Sequence, residues 1–310
     1  MPKCNVCFRQ CEIKEGQRGF CKSRICRNGR IVPENYGRIT SLALDPIEKK
    51  PLNRFYPGSL IVSAGSYGCN LRCPFCQNYE ITWSDAAERF RTEAEYLSPE
   101  DLAATALYYH ENLTEGSAFQ TTGMDPADTS DEFRPGGNIG LAFTYNEPLI
   151  GYEYVRDTAK LVHEMGMKNV LVTNGTASLQ VLEELAPYID AMNIDLKGFT
   201  DRYYSEVLKG SRKMVMDFIR EAVKICHVEL TTLIIPGEND TIEEMEQIAG
   251  WIADLTDVYE GRQGSEIPLH ISRFFPRFHM QDRSPTDVGL IYRLAEKARE
   301  SLAYVYTGNC

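Results

Sequence analysis

The sequence predicts an α/β fold: a parallel sheet with right-handed helical crossovers, preceded by a small cysteine-stapled module. Three observations carry this reading. From about Ser59 onward, six apolar strand-like runs alternate with amphipathic helical patterns, the signature of repeated βα units. Before that point, Cys4, Cys7, Cys11, Cys21 and Cys26 crowd into the first 26 residues. The 310 residues, with 43% hydrophobic and 25% charged content, suit a globular chain with a substantial core.

Residues 1–58 contain those cysteines together with Gly16, Gly19 and Gly29 and show little helical periodicity. They are expected to form an N-terminal metal-binding module, with residues 59–310 as the main domain. Cys4, Cys7, Cys11 and Cys21 give CxxC, then CxxxC, then a nine-residue gap containing "EGQRG". That is good four-thiolate spacing around a glycine turn, and both structural zinc and an auxiliary iron–sulfur cluster fit it. Zinc is the expected occupant, because the surroundings lack the compact ferredoxin pattern. Cys26 is the alternative to Cys21 as fourth ligand, and unmetallated thiols fit the spacing worst.

The six strands are expected at "LIVSAG" from Leu60, "IGLAFTY" from Ile139, "KNVLVTN" from Lys168, "AMNIDLK" from Ala191, "VELTTLII" from Val228 and "PLHISRF" from Pro268. One helix opens at "SPEDLAATALYYH", with Ser98 as N-cap, Pro99 at the first helical position and Asp101 completing a capping pattern. A second is expected from about Leu149 to Met165, with Val155, Ala159, Val162 and Met165 on one face and a stop near Gly166. A third covers about Thr241 to Leu255. Six units suit an open doubly wound sheet or an incomplete barrel. The polar, mostly acidic stretch 114–138 is rich in Gly and Pro and reads as a long functional or disordered loop. It is expected to contact a protein partner or the N-terminal module.

The net charge of -11 argues against a nucleic-acid binder held by bulk electrostatics. No apolar run is long enough to cross a bilayer, and "MPKCNVCFRQC" lacks the apolar stretch of a signal peptide. A cytoplasmic location is therefore expected. Disulfides are rare there, so ten cysteines point to metal chemistry. Cys226, behind Val223 and Ile225, reads as a core thiol.

The stretch "GCNLRCPFCQN" from Gly68 sets Cys69, Cys73 and Cys76 in a CxxxCxxC. A closed zinc site wants four protein ligands, and cubane iron–sulfur clusters usually take four cysteines. Three thiolates on a 4Fe-4S cluster leave one iron open for chemistry. The competing reading is a zinc knuckle completed by a distant residue. Further along, alternation in "AMNIDLK" turns Met192, Ile194 and Leu196 toward the helices and Asn193, Asp195 and Lys197 inward. An acid and a base buried together are a structural ion pair or site groups. The same alternation turns His270 and Ser272 inward. Glu147 precedes Pro148, where a helix-start carboxylate is the plain alternative, and Asn174 precedes the turn-forming Gly175.

The triplet, with Phe75 directly before its last cysteine, resembles the signature of the radical S-adenosylmethionine (SAM) superfamily. With "DPIEKKPLNRFYPGS" from Asp45, "FTYNEP" from Phe143, "TNG" from Thr173, "NIDLKG" from Asn193 and "LIIPGEND" from Leu233, it resembles the pyruvate formate-lyase activating enzyme-like branch. Within that branch it is most similar to the AmmeMemoRadiSam-system radical SAM proteins. The resemblance spans nearly the whole chain and implies a partial (βα)6 TIM-like barrel. It implies a 4Fe-4S cluster whose open iron is chelated by SAM, and reductive cleavage of SAM to a 5′-deoxyadenosyl radical that abstracts hydrogen from a substrate. It also implies a reductant such as flavodoxin or ferredoxin, and it leaves a protein among the candidate substrates.

By resemblance, Glu147 accepts from the SAM ammonium, Lys197 reaches its carboxylate and Asp195 orders Lys197. Phe75, Asn78, Tyr145, Asn146 and Asn174 complete the cofactor-binding set. Two departures are visible. Val172 stands where activating enzymes usually carry an aspartate before "TN", and Glu229 and Thr231 fill a stretch where their fifth strand tends to carry a basic residue. The radical chemistry is carried over; the glycyl-radical partner is not. The reading from a different class is a non-catalytic iron–sulfur electron carrier or metal-dependent interaction module, which has no use for Glu147 and Lys197.

Overall fold

In a computed structural model of the chain, residues 1–112 and 137–310 are described. The N-terminal module holds the hairpin of β1 (Arg24–Arg27) and β2 (Arg30–Pro33). Its reversal falls on Asn28 and Gly29, both at positive φ (52° and 71°), as a two-residue hairpin turn requires. Short β3 (Arg38–Ile39) follows, then β4 (Ser41–Pro46) and β5 (Leu60–Gly65), which pair antiparallel from Ser41–Gly65 to Pro46–Leu60. The expected division at 58/59 therefore falls inside a hairpin of the main sheet. Val6, Ile13 and Cys26 of the module also belong to the main apolar core.

After β5 the chain runs through α1 (Phe90–Glu93), β6 (Glu95–Tyr96), which pairs with β3, and α2 (Pro99–Asn112). Then come β7 (Asn138–Phe143), α3 (Tyr152–Glu164), β8 (Lys168–Thr173), α4 (Leu179–Leu185) and β9 (Ala191–Asp195). The remainder is α5 (Arg212–Ile225), β10 (His227–Ile234), α6 (Ile242–Ala253), β11 (Leu269–Arg273), α7 (Val288–Ala298) and β12 (Val305–Gly308). Strands β5 and β7 to β12 lie parallel, side by side, in chain order, with β4 on the outer edge of β5. All six expected strands are present as neighbours; β4 and β12 extend them. Among the described residues the two edges do not pair with one another, so the barrel is not closed, and an apolar plug fills its interior.

Local signals explain the helix starts. Ser98 and Asp101 form a reciprocal box: the Asp101 amide donates to Ser98 Oγ (3.1 Å) and the Ser98 amide to Asp101 Oδ2 (3.2 Å). Thr241 Oγ1 caps α6 by accepting from the Glu244 amide (3.1 Å). The second expected helix begins later than its pattern suggests, because Pro148–Gly151 forms a 3-10 turn first. Val155, Ala159 and Val162 are buried as expected, but Met165 is 41% exposed; it sits at the C-cap, where the helical face has already turned away. The segment 114–138 lies, save for its last two residues, outside the described residues. Among the described residues no helix is long and apolar enough to cross a membrane.

A second, smaller core fills the barrel at the N-terminal ends of the strands. Ile47, Leu52 and Phe55 pack there with Ile61, Val170 and Ala191. This plug is pinned by Glu229, whose side chain is fully buried. Its carboxylate accepts from the amides of Asn53 (3.0 Å) and Arg54 (2.7 Å) and from the rings of His227 (3.0 Å) and His270 (2.6 Å). Asn193 Nδ2 adds a bond to the Pro51 carbonyl (2.8 Å). Burial alone would raise the Glu229 pKa, but the His227 and His270 donors outweigh it and hold the carboxyl at about 2.

Replacing Glu229 by alanine leaves two imidazoles and two amides without their acceptor, and should cost roughly 3–5 kcal/mol in chemical denaturation. The sign of the pH dependence follows from the depressed pKa. The stabilisation is complete above the ordinary glutamate value of about 4.3 and is lost as pH falls toward about 2. The gap in unfolding midpoint between wild type and Glu229→Gln should accordingly close across that window.

Candidate active site

A cavity of about 310 Å³ opens at the C-terminal ends of the parallel strands, the end at which parallel barrels carry their chemistry. The loop after β5 brings Cys69, Cys73 and Cys76 into its wall, and none of the three is in a disulfide. Several donors face their sulfurs: the Leu71 amide (3.4 Å) and Asn174 Nδ2 (3.7 Å) at Cys69, and the Thr82 hydroxyl (3.4 Å) at Cys76. Burial pushes the Cys69 thiol well up, Cys73 up to about 12, and Cys76 up. Thiolates in such a place need a metal's positive charge. Among the described residues no three His, Cys, Asp or Glu side chains are grouped to hold a metal ion. The donor set of three cysteine thiols in one cavity wall fits a 4Fe-4S cluster with one iron open.

The other strand ends supply polar groups. Glu147 follows β7, is buried, and accepts from the Leu149 amide (3.0 Å), the Thr173 hydroxyl (2.6 Å) and the Asn174 amide (2.8 Å). It is thus the N-cap of the 3-10 turn, as the plain alternative foresaw, yet a carboxylate with about four acceptor positions keeps one to spare. Burial raises its pKa to about 7 in spite of those donors. Tyr145 holds a left-handed backbone (φ 70°) and donates its hydroxyl to Asp45 (2.7 Å), which also binds Lys50 (2.8 Å). A Cβ on Gly65 would stand 2.8 Å from the Tyr145 ring, so the end of β5 must be glycine for this ring to lie there.

Asn78 donates to the Tyr145 carbonyl (2.7 Å), tying the cysteine loop to the "YNEP" loop. Asn146 lines the cavity and also holds that junction, accepting from the Ser66 amide (2.9 Å) and donating toward the Tyr67 and Gly68 carbonyls (both 3.3 Å). Phe75 is buried in the cavity wall. Asn174 reaches Asn70 Oδ1 (3.0 Å) as well as Cys69. Asp195 and Lys197 face the cavity as a 2.7 Å ion pair. Burial alone would lower the Lys197 pKa, but Asp195 and then Cys73 raise it well above the usual lysine range.

Thr82, Thr144, Leu233 and Asn309 also line the cavity and were not singled out from the sequence. Reading "VYTGN" as a seventh strand end would have found Asn309; Thr82 returns to Cys76 through a turn that no spacing rule marks. Ser272 faces the cavity as expected, whereas His270 serves the plug. In the N-terminal module Cys4, Cys7 and Cys21 are buried and Cys11 partly so, while Cys26 faces Glu15 (3.5 Å).

The family model of the Radical SAM superfamily matches residues 64–252. The uncharacterized protein MJ0808 of Methanocaldococcus jannaschii is 37% identical over 309 residues, covering 99% of this chain and 81% of the relative. The pyruvate formate-lyase-activating enzyme of Clostridium pasteurianum is 25% identical over 192 residues, covering 62% of this chain and 68% of the relative. Among solved structures, Streptococcus suis SuiB bound to S-adenosylmethionine is similar in fold, with a TM-score of 0.54 at 12% identity over 78% of this chain. The chain spans about half, 48%, of SuiB. The matched region runs from the end of β5 into α6 and encloses the three-thiol loop, Glu147, Asn174 and the Asp195–Lys197 pair: the chain belongs to the radical SAM superfamily and is an enzyme of radical chemistry.

Proposed function

We propose that the chain cleaves SAM reductively at a 4Fe-4S cluster held by Cys69, Cys73 and Cys76, and that the resulting radical abstracts hydrogen from a substrate, with a protein among the candidates. One observation carries the cofactor part: three thiols share a single cavity with a spare carboxylate position on Glu147 and a fixed cation on Lys197. The amino acid end of SAM carries the complementary charges. A cluster held by Cys69, Cys73 and Cys76 would supply the electron for reductive cleavage of the C–S bond. Lys197, held charged by Asp195, is suited to the SAM carboxylate, and Glu147 to its ammonium. Leu71, Phe75 and Leu233 give the cavity apolar wall that excludes water from a radical.

The candidacy of a protein substrate is supported by the activating-enzyme relatives, one of which is named for the lyase it activates. The order of motifs supports placement with the AmmeMemoRadiSam-system proteins, and the reductant is read as a flavodoxin or ferredoxin. The N-terminal quartet Cys4, Cys7, Cys11 and Cys21 completes the reading as a second thiolate site. A mere electron carrier in the cytoplasm would leave the opposed charges of the cavity without purpose.

Anaerobic reconstitution with iron and sulfide, followed by reduction and addition of SAM, should yield 5′-deoxyadenosine. A verified 4Fe-4S cluster that forms none would sink the proposal. Lys197→Met should weaken SAM binding by about ten- to hundredfold, the worth of a lost charge-assisted hydrogen bond. Asp195→Asn should weaken it less, since Asp195 acts through Lys197. Equilibrium binding to the reconstituted proteins reads both, and equal losses would show that Asp195 touches the ligand itself.

A further inference from the structure

Eight Lys and Arg stand against three Asp and Glu in the first 34 residues, although the whole chain carries a net charge of -11. Positive charge is thus gathered in the N-terminal module, and the module packs on the cysteine loop. We propose that the basic face where the two meet docks an acidic one-electron donor protein of the flavodoxin or ferredoxin class, an inference that rests on the radical SAM reading of the Cys69–Cys76 loop.

The junction is a backbone contact. The Cys69 amide donates to the Cys21 carbonyl (3.3 Å). Gly68 makes this approach possible: its φ is 95°, and a Cβ there would lie 2.8 Å from the Cys21 carbonyl oxygen and 2.7 Å from Ser23 Oγ. The cysteine loop therefore has two sides. One forms the cavity wall, and the other lies against residues 20–23 of the module. A donor arriving through the cavity would compete with SAM and substrate for one opening; a donor on the module side would not.

Cations ring the module side. On one flank Arg9 and Arg72 stand over the Phe20 ring at 3.2 and 3.8 Å, and Arg9 also lies over half-buried Phe8 (4.9 Å). Among the described residues neither arginine pairs with a carboxylate. Arg9 donates to the carbonyls of Asn70 (2.9 Å) and Lys209, and Arg72 to those of Cys69 (2.8 Å) and Phe20. Exposed Lys209 extends this flank. On the other flank Lys22 reaches Glu88 (3.0 Å), while Glu34 is shared by Arg18, Arg27 (3.3 Å) and Arg91 (3.8 Å). Three guanidinium groups on one carboxylate leave positive charge uncompensated. The Glu34 amide bonds the Ser23 carbonyl (2.7 Å), so this flank also borders the junction.

A basic face on an acidic protein speeds and orients the approach of an acidic partner, which the rest of the surface repels. Arginines and aromatic rings are the groups that protein interfaces favour. The chemistry calls for such a partner, because reductive cleavage consumes an electron from outside. The donor is oxidised by one electron. That electron enters at the cysteine loop and is consumed as the sulfonium C–S bond breaks into methionine and the 5′-deoxyadenosyl radical.

The test compares two electron donors on the anaerobically reconstituted full chain. In Lys22→Glu/Arg27→Glu/Lys209→Glu, SAM cleavage driven by a reduced bacterial flavodoxin should lose at least about tenfold in kcat/KM, through the KM for flavodoxin. Cleavage driven by a photoreduced neutral deazaflavin, which needs no docking, should stay within about twofold of wild type. Lys160→Glu/Lys224→Glu/Arg293→Glu makes the same charge change on the outer helices, and its flavodoxin-driven rate should also stay within about twofold. An unchanged flavodoxin-driven rate in the first variant, equal losses with both donors, or equal losses in both variants would overturn the docking face. So would a wild type that deazaflavin reduces and flavodoxin does not. Reversals that abolish binding of mixed tRNA but spare flavodoxin-driven cleavage would assign the face to nucleic acid instead, and would overturn it too. Failure of the radical SAM reading shows separately, as wild type with a full 4Fe-4S cluster that makes no 5′-deoxyadenosine under deazaflavin.

Discussion

The buried carboxylate of Glu229 closes one end of the barrel, and the geometry at the other end follows from it. Four donors from three separate stretches converge on its two oxygens, which locks residues 47–56 inside the sheet. A buried charge is tolerable only when so fully satisfied. The plug it pins includes Lys50, which binds Asp45, which in turn accepts from Tyr145. Tyr145 begins the loop that presents Glu147. A carboxylate remote from the cavity thereby sets the register of a group that faces it.

At the open end, the same economy of hydrogen bonds joins strands that the sheet alone would leave free at their tips. Glu147 bridges the ends of β7 and β8 through Thr173 and Asn174. Asn146 bridges β7 to the turn after β5 through Ser66, Tyr67 and Gly68. The cysteine loop is thus held from behind by groups that are themselves fixed. Such preorganisation matters in a radical enzyme, where positioning decides which hydrogen is attacked.

The N-terminal module is bound into the same framework rather than tethered to it. Arg24 makes a bidentate pair with Glu153 of α3 (2.8 and 2.7 Å), and the Ser178 amide at the start of α4 donates to the Val6 carbonyl (2.8 Å). With Cys21 against Cys69, the module and the catalytic loop cannot move independently.

Much of this was legible in the sequence, where the determining interactions are local. Parallel strands buried on both faces read as continuous apolar runs, so all six central strands were visible. The Ser98–Asp101 box announced α2, and the period of two placed Asp195 and Lys197 inside the barrel before any contact was known. The spacing of Cys69, Cys73 and Cys76 placed three thiols in one loop, and the fold sets that loop in the cavity wall. Short β12 and the edge strand β4 escaped because four to six residues without a long apolar run carry little signal. The tasks of Glu229 and Asn146 escaped because their partners lie far along the chain. Sequence spacing established that four N-terminal thiols could share one centre; that the Cys21 carbonyl meets the Cys69 amide only the folded chain decided, because it depends on how the module docks against the cysteine loop and α3.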